Sequence, residues 1–120
     1  MTQTAQLLQL KHLADLMLDS QLAQVRATAA AKATSEARLA TLAQPVAGTE
    51  GIGDIAAGLA ALGYQRWADA RRAEVNLALA RRTAAWIEAC DAARLSFGRK
   101  QALQGLADHA AAARKQQESR

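Results

Sequence analysis

The chain has 120 residues, a net charge of +4 and a single cysteine, and aromatic residues make up only 3% of it. That length allows one domain, the lone Cys90 rules out an intramolecular disulfide, and abundant alanine and leucine with few β-branched or aromatic residues argue for long helices and against a sheet. The charge is mild for a nucleic-acid binder, and its cations alternate with Asp and Glu in the manner of a solvated helix surface.

From about Thr4 to Ala43 there is neither glycine nor proline, and apolar residues recur at helical intervals. Leu7, Leu10, Ala14, Met17 or Leu18, Leu22, Val25, Ala29 and Ala40 trace one drifting face. Leu7, Leu18, Ala29 and Ala40 stand eleven apart, which predicts a shallow supercoil and not a strict heptad zipper. The second half of this helix, from Ala27 to Ala43, is dominated by small residues that let a neighbour approach closely. No signal-peptide core is expected, because Lys11, His12 and Asp15 interrupt the run from Leu7 to Leu18.

The segment 44–53 breaks the pattern. Pro45 disfavours helical geometry at Gln44, and Gly48, Gly51 and Gly53 loosen the chain beyond it. Asp54 is the expected N-cap of a short helix over about 54–62, with Gly63 as its stop or as a weak point carried through. The helical pattern resumes over about 64–115, so the predicted fold is all-α: two long helices in an antiparallel coiled-coil hairpin, a single domain of residues 1–120. The second helix outruns the first, so the termini are expected at one end with part of the last helix projecting and its polar tail, Arg114 to Arg120, frayed.

The second helix carries two apolar stripes. Leu62, Ala70, Ala73, Leu77, Ala80, Ala84, Ile87 and Leu95 form one, read as the seam against the first helix. Val75, Leu79, Trp86, Cys90, Ala93 and Phe97 form the other, read as a face that needs a partner. Arg71, Arg82 and Lys100 rim it on one side, Arg72 and Arg94 on the other, which fits an acidic protein counterpart better than a phosphate groove. The candidate binding residues are therefore Val75, Leu79, Arg82, Trp86, Phe97 and Lys100, with Trp86 as anchor. A homo-oligomer built on the same face is the alternative.

Catalysis has little to stand on. His12 and His109 meet only if the helix ends meet, and neither has a Cys, Asp or Glu four residues away to complete a metal set. No nucleophile elbow, phosphate-binding loop or zinc-protease motif is present. The expectation is a protein that is not an enzyme, with no cofactor, no metal and no small-molecule substrate. No stretch is apolar enough to span a bilayer, and a cytoplasmic location is expected.

One family resemblance emerges. The leucine-rich first helix, the short break, and the longer helix with Arg99-Lys100-x-x-Leu103-x-x-Leu106 resemble the FliJ/YscO-type stalk proteins of flagellar and type III export. The segment Tyr64-Gln-Arg-Trp67 through Phe97-Gly-Arg-Lys100 also looks like short alphaproteobacterial relatives encoded with flagellar genes. The chain is shorter and richer in alanine than typical members. The resemblance implies an antiparallel coiled coil that inserts in the export ATPase ring, contacts the export gate at the inner membrane and handles empty chaperones. A helical secretion chaperone and a self-associating structural coiled coil are the other two classes the sequence accommodates.

Overall fold

The computed structural model describes residues 2–44 and 53–119. Two helices account for nearly all of them: α1, Thr2–Leu42, and α2, Asp54–Glu118. The predicted turn residues Pro45, Gly48 and Gly51 lie outside the described residues. At the end of α1 the Ala43 amide still donates to the Leu39 carbonyl, and the Gln44 amide then tightens to the Thr41 carbonyl at 3.2 Å. Such a shortened last turn satisfies orphan carbonyls at a helix end.

The predicted short helix is not a separate element. Residues 54–62 are the first turns of α2, which runs without a break through Gly63. Nor is Asp54 the cap: the Gly53 carbonyl accepts the first helical bond, from the Ala57 amide at 2.8 Å, and Asp54 sits inside the first turn. Its carboxylate there still opposes the positive end of the helix dipole. A Cβ added at Gly63 meets nothing within 4 Å. Gly63→Ala is therefore expected to stabilise α2 by about 1 kcal/mol, the difference in helix propensity, and to raise the melting temperature by a few degrees in thermal circular dichroism.

Tertiary contacts group into two compact units, Thr28–Ala85 and Met1–Ala27 with Trp86–Arg120. In each, the two helices run antiparallel. Within Thr28–Ala85, Arg72 Nη2 donates to the Leu42 carbonyl at 3.3 Å, while Arg82, further along α2, reaches the earlier Ser35 and Ala31. Within the other unit Lys100 pairs with Asp15 at 3.3 Å, and Arg114 donates to the hydroxyl of Thr4. The last turn of α1 has no basic residue of its own, so Arg72 places a cation at the negative end of its dipole from across the pair. The extra length of α2 lies at its start, not at its end: Ile55 (82% exposed) and Leu59 precede the Arg72–Leu42 contact, whereas the C-terminal side is helical to Glu118.

Which residues face the seam differs from the sequence reading. On α1 the protected positions include 4, 7, 11, 14, 18, 21, 25, 28, 32, 35, 39 and 42, a strict alternation of three and four. This is a heptad pattern, not the eleven-residue one, and Ala40 is exposed. On α2 the matching rows are 68, 75, 82, 89, 96, 103 and 72, 79, 86, 93, 100, 107, of which only Lys100 is classed as exposed. The buried apolar residues are small or few, among them Ala14, Leu18, Leu42, Ala68, Val75, Ala89 and Ala93, and Ser35 and Ser96 are buried beside them. Gln21, Thr28, Lys32, Arg72 and Arg82 occupy further seam positions. Polar residues at so many seam sites hide the heptad from a hydrophobicity reading.

Arg82 shows how such a residue is accommodated. Its Nη1 donates to Ser35 Oγ at 2.6 Å and to the Ala31 carbonyl at 3.2 Å. Ser35 is the most deeply buried side chain described, and no buried side-chain polar atom lacks a hydrogen-bond partner among the described residues. A charged donor shared between a hydroxyl and a backbone carbonyl fixes one axial register, because sliding the helices by a turn would strand it.

Candidate protein-docking surface

The six residues proposed from sequence as a partner-binding face do not form one. Val75 is only 4% exposed and belongs to the seam, Leu79 and Trp86 are half-buried along the same rows, and Arg82 is held by Ser35. Lys100 is tied to Asp15 across the helix pair. Of the six, Phe97 alone presents a large apolar side chain classed as exposed. The stripe assigned to the seam is the outward one instead: Leu62, Leu77, Ile87 and Leu95 are about half exposed or more, and Ala73, Ala80 and Ala84 are exposed. The two faces are interchanged. Val75, Leu79, Trp86 and Ala93 stand on the true heptad rows, but Arg72, Arg82, Ser96 and Lys100 interrupt those rows, and the uninterrupted alanine-rich stripe resembles a seam more closely.

A different surface emerges in the unit of Met1–Ala27 and Trp86–Arg120. Leu10, Leu13 and Met17 of α1 lie beside Ser96, Arg99 and Leu103 of α2 around a groove of about 240 Å³. A second stretch of about 430 Å³ is lined by Leu7 and Leu10 from α1 and by Leu106, His109 and Ala110 from α2. Leu10 is common to both. The heptad explains the placement: Leu10 and Met17 on α1, and Arg99 and Leu106 on α2, stand one position before a seam row and so flank the same side of an antiparallel pair. Leu13 is 55% exposed and Leu106 58%, with Leu10 and Met17 close to half. Leaving several large aliphatic side chains this open forgoes roughly 1 kcal/mol each of burial, which a docked partner would recover.

The sequence held half of this signal. Leu7 and Leu106 line one groove, as the antiparallel hairpin predicts. Leu10 and Met17, however, belong in the sequence to the same drifting apolar face as Leu7 and Ala14, and only the heptad register turns them outward.

The remaining candidates are neutralised or dispersed. Arg71 pairs with Glu74, Arg72 with Asp69 and Arg94 with Asp91, each three residues away on the same helix at 2.9–3.2 Å. Such exposed pairs add only a few tenths of a kcal/mol, about 0.3–0.5 each, but they remove the concentrated positive field a phosphate backbone needs. His109 lines the groove while His12 lies beside Leu8, Gln9 and Leu13, and no group of three metal-ligating side chains occurs among the described residues. Cys90 is a half-buried free thiol. No described helix is long and apolar enough to cross a membrane.

Fold and surface together define an antiparallel two-helix coiled coil with a polar-rich seam and an open apolar groove along one flank. No family model, curated protein or solved structure matches the chain.

Proposed function

We propose that this chain is a non-enzymatic coiled-coil component of a flagellar or type III protein export apparatus. In this reading it is a cytoplasmic stalk or adaptor between the export ATPase, the export gate and substrate chaperones. The observation that carries it is the position of Leu103 and Leu106. These two leucines of the Arg99-Lys100-x-x-Leu103-x-x-Leu106 run, the motif behind the FliJ/YscO resemblance, lie in the exposed groove with Leu10 and Leu13. A motif whose leucines served only the seam would support a generic coiled coil. Here Leu103 sits on a seam row yet lines the groove, and Leu106 is 58% exposed, which supports a surface offered to another protein.

The pair Leu13→Asp and Leu106→Asp tests the reading, since both side chains point outward and the substitutions leave the seam alone. In the source organism the expected result is loss of motility or secretion, with the variant present at normal level and normal helicity. Affinity capture should then lose components of the export apparatus that the wild type retains. Normal motility and secretion in that strain would defeat the proposal. A helical secretion chaperone would use the same groove, and capture of one secreted substrate without the ATPase would favour that reading.

A further inference from the structure

The charges around the groove are distributed unevenly. Arg99 lines the stretch with Leu10, Leu13 and Met17, His109 lines the next, and no carboxylate lines either. Several acids of this unit are engaged elsewhere: Asp15 pairs with Lys100, Asp91 with Arg94, and Asp108 accepts from the amide of Gln104 at 2.9 Å. Arg99 makes no ion pair or hydrogen bond among the described residues. On α1 the polar residues lining the groove are Gln3, Thr4 and Gln6, all uncharged. The surface is thus apolar along its floor and cationic at its edge.

We infer that the groove is a docking site for an amphipathic helix of a partner protein, with large aliphatic residues on one face and an Asp or Glu on its flank to meet Arg99. This deepens the export reading by naming the partner's chemistry, and it rests on that reading only for the partner's identity. Two parallel helical walls leave a trough that a third helix fills with residues spaced three and four apart. A second copy docked groove to groove fits poorly. Its own groove would bring another Arg99 and His109 and no carboxylate, so self-docking would bury guanidinium groups without a counter-charge. Arg99 selects for acid and against groove-to-groove self-docking at one position.

The test uses purified full-length protein and two labelled synthetic peptides. Each is an amphipathic helix of about three heptads with leucine on its apolar face, one flanked by glutamate and the other by lysine. Fluorescence anisotropy should show saturable one-to-one binding of the glutamate peptide, at least about tenfold tighter than the lysine peptide, with the gap narrowing at high salt. Arg99→Glu should reverse the preference, and Leu13→Asp should weaken both peptides by about tenfold or more at unchanged helicity. The proposal is overturned by equal affinity for the two peptides, by absence of saturable binding, or by a wild-type dimer in light scattering that Leu13→Asp dissociates. Because no export component is present, failure here leaves the export assignment standing. Conversely, a motile Leu13→Asp/Leu106→Asp strain would leave the groove's chemistry intact.

Discussion

Val75→Glu is expected to unfold the protein at room temperature, whereas Ala80→Glu should leave its melting temperature nearly unchanged. Val75 is almost fully buried, on the α2 row that also carries Arg82 and its bond to Ser35. An unpaired carboxylate at such a site costs about 3–5 kcal/mol. A two-helix pair whose seam is largely alanine, serine and charged side chains has little to set against that, since even ordinary small domains hold only about 5 kcal/mol in reserve. Ala80 faces outward, where Glu is a good helix former and costs only tenths of a kcal/mol, about 0.5 at most. Thermal circular dichroism on the two variants decides the matter. If Ala80→Glu melts below Val75→Glu, the seam assignment is wrong.

Trp86→Ala should carry the other large effect, and it should be one of stability. The side chain is half-buried on the same row as Leu79 and Ala93. Full truncation of a buried Trp costs about 3–5 kcal/mol, and half-burial brings this to roughly 2 kcal/mol. For a chain of this size that lowers the melting point by about 10 °C, at about 4–8 °C per kcal/mol. Urea unfolding should show a lower midpoint at an unchanged slope. The sequence alone cast Trp86 as an interface anchor whose removal spares the fold. A Trp86→Ala protein with wild-type unfolding would restore that role and displace Trp86 from the seam.

Both expectations stem from where α1 accepts polar residues. Gln21, Thr28, Lys32 and Ser35 hold seam positions that a search for apolar periodicity passes over. Apolar periodicity alone favours Leu7, Leu18, Ala29 and Ala40, of which Ala40 is exposed. On α2 the same bias favoured the alanine stripe over a row interrupted by Arg72, Arg82, Ser96 and Lys100. Neither error touched the fold class, because composition and the absence of breakers suffice for two helices, and one interruption suffices for a hairpin.

The sequence by itself determined the two long helices and their reversal around 44–53, for local reasons. Alanine-rich runs without glycine or proline propagate a helix wherever they sit, and a proline followed by glycines in the sequence predicts a break between two such runs. The tertiary structure alone decided which face of each helix is inside, that Gly63 is carried through, and that Leu10, Leu13, Leu103 and Leu106 share a groove. Those outcomes depend on side chains of α1 and α2 far apart in sequence. Arg82 can occupy the seam only because Ser35 and the Ala31 carbonyl receive it. Leu10, Met17 and Leu106, each one position off a seam row, stay open to solvent.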